Sequence, residues 1–318
     1  MNRACSSLGL LFGSLLGGYL VQRWLRPRAP GRAERASEFL KRVQVLGFAP
    51  ALLLLSFWAL DLSHRRLMAL PALGIASHCV GGAWALGLAR WLRLDPRATG
   101  SLVVCGMFTN LASFGGLLNL TLLGERAFIL AMFFRCLEPI FYYTVGFAVA
   151  NFFGTGQRPA VGQALRETFS RRETWVPLSG LLAGTVLWAS PWDRPAWLGT
   201  INSALVLAAS VSLMVAVGLS VRPGRLRYHL REAAGAAAIK FMGIPLILVT
   251  VAWALGFGRL EQGLPLKMVA IMASMPVAFN ALIPPTLFGL DEDLANSCWL
   301  FTTAAMLGVV PVLAKVVT

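Results

Sequence analysis

The chain has 318 residues, 57% of them hydrophobic and 13% charged, with a mean hydropathy of +0.69 and a net charge of +14. A soluble domain carries about 25% charged residues and is excluded, as is an outer-membrane barrel, because no ten-residue segments of alternating polarity occur. The basic residues cluster between apolar blocks and form no continuous face, which argues for a lipid surface and against nucleic acid as the partner.

Ten blocks approach the length of about 20 residues that a helix needs to cross hydrocarbon. They run 5–23, 43–60, 67–89, 99–122, 127–151, 175–191, 197–221, 233–257, 264–287 and 295–315. In the first, Arg3 precedes an apolar run as in a secretory leader. No small-x-small cleavage site comes before Arg23, however, and a dense basic loop follows, so the block reads as a span. With the N-terminus outside, the loops on the cytoplasmic side hold 18 basic residues and those on the other side 8. The positive-inside rule then predicts an integral plasma-membrane protein (inner membrane in a bacterium) with both termini on the non-cytoplasmic side. Cys5, Cys79, Cys105, Cys136 and Cys298 are scattered without metal or redox spacing and read as small buried hydrophobes.

The polar stretch 154–174 divides the blocks into five and five, giving a first repeat at 1–153, a cytoplasmic linker at 154–174 and a second repeat at 175–318. An odd number of crossings inverts the second half relative to the first. The predicted fold is therefore all-α and polytopic: ten transmembrane helices as two inverted-topology five-helix repeats, with helices 4 and 9 broken where they cross. Gly13-x-x-x-Gly17 and Gly180-x-x-x-Gly184 occupy matching places in the halves and predict close helix approach.

The fourth and ninth blocks share an unusual plan, with Phe114, Thr121 and Gly124 falling on Phe279, Thr286 and Gly289. In the ninth, Pro276, Pro284 and Pro285 remove backbone donors around Asn280. Carbonyls freed in this way cannot face lipid, so the break must be buried or line a cavity. In the fourth, Asn110, Ser113 and Asn119 are polar, and Gly115-Gly116 predicts an unwound backbone. Two breaks meeting near mid-membrane aim helix N-termini and amides at one point, which favours a carboxylate.

Three charges lie inside apolar blocks away from their ends. Arg135 and Glu138, three apart and followed by Pro139, predict a buried pair, either a proton-coupling device or a structural tie. Lys240 would attract the anion or reach Glu138. No metal site is expected, His78 reads as a hydrogen-bonded core residue, and no nucleophile–base set or phosphate loop points to an enzyme. Thr109, Ser113 and Thr121 offer oxygens of the kind sodium recruits, so proton and sodium coupling both stay open, and no other cofactor is implied.

Met275-Pro276-Val277-Ala278-Phe279-Asn280-Ala281 through Phe288-Gly289-Leu290-Asp291, with Leu294-Ala295, Thr302-Thr303 and Pro311, resembles the ninth span of the auxin efflux carrier family. Gly17-Gly18-Tyr19-Leu20-x-x-Arg23, Asn110 with Phe114-Gly115, and Gly124-Glu125 resemble that family's first and fourth spans. This resemblance implies a scaffold of spans 1, 2, 6 and 7 that homodimerises, and an elevator-like transport domain of spans 3–5 and 8–10. It also implies export or exchange of a small organic anion. Members usually carry a proline where this chain has Leu118-Asn119, which predicts a milder break in span 4. The alternatives are a sodium-coupled symporter of the bile-acid-transporter type and a non-transporting sensor or scaffold.

Overall fold

The computed structural model describes residues 2–156, 166, 169–170, 172–221 and 228–318, with side chains from residue 6 onward. The predicted linker at 154–174 lies mostly outside the described residues, as do the side chain of Cys5 and Arg158, Arg171, Arg222, Arg225 and Arg227 of the basic clusters.

The chain is an all-α polytopic bundle. Among the described residues, six helices are long and apolar enough to cross a membrane: Arg32–Trp58, Arg65–Trp91, Glu125–Thr155, Trp197–Gly218, Leu230–Ala254 and Glu292–Val317. This corrects the expectation of ten spans in two clean five-helix repeats. The block at 175–191 lies on Arg172–Trp188, a helix of 17 residues. At 1.5 Å per residue it reaches about 25 Å, less than the hydrocarbon core of about 30 Å. The blocks at 99–122 and 264–287 are each split into two short helices, neither long enough to span alone. The block at 5–23 falls on Asn2–Arg28, a helix of 27 residues that ends among Arg23, Arg26 and Arg28. The first basic cluster also differs from the predicted loop. Residues 32–43 form a helix that passes through a π-helical turn at Gln44–Phe48 directly into Ala49–Trp58.

Local chemistry explains where the short helices start and stop. Asp95 caps the helix Pro96–Met107 by accepting from the backbone N–H groups of Arg97 and Ala98 at 2.9 and 3.1 Å, with Pro96 in the first turn. Asp291 accepts from Leu294 N–H at 2.9 Å, and Glu292 and Asp293 complement the positive end of the last helix. Gly289, at φ 65°, ends the preceding helix in the left-handed conformation that glycine adopts without strain.

Helix packing rests on small residues, and only some of the predicted ones. A Cβ on Gly180 would lie 2.2 Å from Pro50 O, and one on Gly184 2.6 Å from Leu54 O. The helix Arg172–Trp188 therefore sits backbone to backbone on Ala49–Trp58. In the first helix it is Gly18 that makes the close approach, 2.4 Å from Val215 O, while Gly13 and Gly17 meet nothing within 4 Å. The Gly13-x-x-x-Gly17 motif thus faces away from the rest of the chain. Ion pairs join the helices near Glu125: Arg194 to Glu125 at 2.8 Å and Arg126 to Glu261 at 2.6 Å.

Candidate functional site

The two broken segments cross deep inside the bundle. The first consists of Pro96–Met107, an extended stretch at 108–110, and the helix Leu111–Leu123. The second consists of Leu264–Ala273, a stretch at 274–278, and Phe279–Phe288. Their non-helical stretches pair as a short antiparallel bridge between Thr109 and Val277. Asn110 N–H donates to Pro276 O at 2.9 Å, and Ala278 N–H donates to Phe108 O at 3.1 Å. Each break thereby satisfies backbone groups that the other exposes, which a nonpolar surrounding requires.

The remaining carbonyls at the end of Pro96–Met107 are met by side chains from three other helices. Lys240 Nζ donates to Gly106 O at 2.7 Å, Phe108 O at 3.1 Å and Thr109 Oγ1 at 2.7 Å. His78 Nδ1 donates to Met107 O at 2.9 Å, because a carbonyl can only accept. The Tyr142 hydroxyl donates to Thr109 O and accepts from Thr109 N–H, both at 3.0 Å. Its ring stacks on Phe108 with centroids 4.0 Å apart. Lys240 and Tyr142 sit in π-helical turns at Ile239–Gly243 and Tyr142–Gly146, irregularities that re-aim a side chain inside an otherwise continuous helix. On the opposite face Thr302 Oγ1 accepts from Val277 N–H at 3.2 Å.

A cavity of about 60 Å³ adjoins the crossing. It is lined by Asn110, Asn280, Arg135, Glu138 and Phe279, with Met214 among the residues supplied by the helix Trp197–Gly218. Asn110 Oδ1 caps the restarting helix by accepting from Ser113 N–H at 3.3 Å and Ser113 Oγ at 2.7 Å. With that oxygen engaged, the amide nitrogen is what Asn110 retains for a ligand, and a donor selects for negative charge. Arg135 and Glu138 stand where Glu125–Phe134 ends and Glu138–Phe141 begins. Arg135 Nε and Nη2 both reach Glu138 Oε2 at 2.6 Å. Both members of that pair line the cavity, whereas Lys240 does not and bonds to no carboxylate.

The other residues singled out from sequence are placed differently. Gly115 and Gly116 are helical, with φ near −61°, and do not unwind. The break precedes them at 108–110, and a Cβ on Gly115 would lie 2.9 Å from Met272 Sδ, so its smallness serves packing. Ser113 supports the Asn110 cap without lining the cavity. Asn119 donates back to Gly115 O at 2.8 Å. Pro276 contributes its carbonyl to the bridge, and Pro284 and Pro285 lie in the first turn of Ile283–Phe288, the α-helical part that follows the 3-10 turn Phe279–Leu282. His78 is the hydrogen-bonded core residue expected from sequence, whereas Tyr142 and Phe279 were missed as parts of the candidate site. Tyr142 had one signal available, since it opens a polar Tyr-Tyr-Thr run one turn after Glu138 in the same span.

Phe279 also borders a larger opening of about 570 Å³ lined by Glu34, Lys41, Ser220, Glu292, Asp293 and Asn296 among others. Lys41 Nζ lies 4.5 Å from the Phe279 ring centroid and donates to Ser220 Oγ at 3.1 Å. Phe279 thus lines both the small cavity and the opening.

Among the described residues, no group of three or more His, Cys, Asp or Glu is placed to hold a metal ion. No protein-family model matches the chain. The chain is 25% identical over 280 residues to an uncharacterized transporter of Methanothermobacter thermautotrophicus, a match covering 87% of this chain and 88% of that protein. The likeness is to a transporter, not to an enzyme, and it extends over almost the whole bundle.

Proposed function

We propose that the chain is a secondary carrier for a small organic anion of the carboxylate class, with its binding site at the crossing of the two broken segments. The observation that carries this reading is the convergence of Asn110, Asn280 and the Arg135–Glu138 pair on one cavity beside two restarting helices. Amide donors, helix N-termini and a guanidinium all favour a carboxylate over a neutral or cationic solute. The overall likeness to a transporter supports the same class.

A cavity of about 60 Å³ is far below the roughly 300 Å³ of an ordinary ligand pocket, so substrate binding requires the walls to part. In the proposed cycle, residues 67–153 and 228–318 move in an elevator-like way against a scaffold of 2–60 and 172–221. Phe279 yields toward the 570 Å³ opening on one side. Arg135 turns from Glu138 to the substrate carboxylate, and Glu138 is the group that takes up a proton. The proposed arrangement is a homodimer in the plasma membrane, its contact including the outward face of Gly13 and Gly17, with the N-terminus outside as the basic clusters favour.

Counterflow into proteoliposomes preloaded with mono- and dicarboxylates tests the reading. Exchange by the wild type and its loss in Asn280→Ala are the expected results; equal exchange by both proteins would remove the site. Uptake under an imposed sodium or proton gradient separates proton coupling from the sodium-coupled alternative.

A further inference from the structure

Lys240 is wholly buried, and its ammonium meets two backbone carbonyls and a threonine hydroxyl, with no carboxylate among the partners. Neutral oxygens from a broken helix end are the ligand set expected around a small alkali cation, not around an ion-paired lysine. The carbonyls of Gly106 and Phe108 lie at the C-terminal, negative end of Pro96–Met107, with the Thr109 hydroxyl beside them. Acceptors left without a donor inside a membrane protein are costly, and Lys240 Nζ meets all three of these oxygens in the folded state.

We infer that Lys240 is a tethered cation filling an alkali-ion site at the crossing, so that the carrier needs no sodium at this position and opens to sodium once the lysine is shortened. The charge reaches the site from Leu230–Ala254, a helix outside both broken segments. A bound ion must be taken up and released in each cycle, whereas a tethered ammonium stays. The opposite consequence follows for a shortened side chain. Lys240→Ala vacates a channel along the former methylene stem, leaves the three oxygens in place and gives water room to complete the coordination. Lys240→Met keeps the stem filled while removing the charge, and so leaves no room for an ion.

The cation site stands independently of the substrate, so its test uses thermal stability in place of transport. Purified wild type, Lys240→Ala and Lys240→Met are melted in sodium, potassium, lithium or choline chloride at equal ionic strength. The wild type is expected to melt at the same temperature in every salt. Lys240→Ala is expected to melt lower in choline and to regain about 4 °C or more in one of the alkali salts, with saturation over the salt titration. Lys240→Met is expected to stay low in all four. A wild type stabilised specifically by sodium would overturn the inference, because the site would then not be the lysine's. So would a Lys240→Ala protein equally unstable in all salts, or one that cannot be folded in any of them, since the ion should restore the missing charge. Failure of carboxylate exchange in the wild type would count against the proposed substrate and leave these melting curves untouched.

Discussion

Replacing Tyr142 by phenylalanine isolates what the hydroxyl contributes at the crossing. The ring volume is kept, so the 4.0 Å stack on Phe108 survives. What is lost is the pair of hydrogen bonds, each 3.0 Å, to the N–H and C=O of Thr109; the C=O keeps a second donor in Leu111 N–H at 2.8 Å, whereas the N–H is left without a partner. Hydrogen bonds between membrane helices are worth about 0.6 kcal/mol on average and up to about 1.7, so two of them give about 1–3 kcal/mol. The upper part of that range applies to the Thr109 N–H, which is buried and gains no water in exchange. At about 2–4 °C per kcal/mol for a chain of this class, the melting temperature should fall by about 3–10 °C. Differential scanning fluorimetry of the purified protein reads the shift, and proteoliposome counterflow reads the consequence for exchange. A variant that melts within 1 °C of wild type would show that the bridge between the broken segments does not depend on Tyr142.

Glu138→Gln leaves the Arg135 guanidinium without its carboxylate; breaking a buried pair costs about 3–5 kcal/mol, and Arg135→Gln added to it should recover part of the loss in a double-mutant cycle. The same variant should flatten the dependence of transport on pH, and an unchanged profile would retire Glu138 as the proton site. Gly180→Ala should cost about 1–3 kcal/mol because its Cβ meets Pro50 O at 2.2 Å. Gly308→Ala, with nothing within 4 Å, should melt within about 1 °C of wild type; the contrast is read by fluorescence-detected size exclusion after heating. Phe279→Ala joins the cavity to the 570 Å³ opening and should speed substrate leak without abolishing binding, measured as efflux in the absence of exchange substrate.

Several features of the site were legible before any coordinates, and they share a cause. Pro276, Asn110, Asn280, Arg135 and Glu138 stand out in apolar sequence because each is costly in lipid unless something compensates. The glycine pair misled for a related reason. Gly115-Gly116 permits unwinding but does not require it, and the helix there is held by packing against Met272 and Phe128. The break moved instead to 108–110, where the partner strand and Lys240 supply hydrogen bonds. Nothing in the local sequence of Phe108 or Thr109 announces that.

Composition and hydropathy by themselves determined that this is a helical membrane protein and that two of its apolar segments cannot run unbroken, because the cost of a polar group in hydrocarbon is paid residue by residue. How many helices are long enough to span was decided only in three dimensions, where blocks similar in hydropathy became continuous, short or split according to the partners available for their backbone. The same holds for Lys240. Its burial was readable as an anomaly in the sequence, but that it closes over the carbonyls of a helix more than a hundred residues away depends on which helices pack together, and long-range packing is the one thing a linear pattern does not carry.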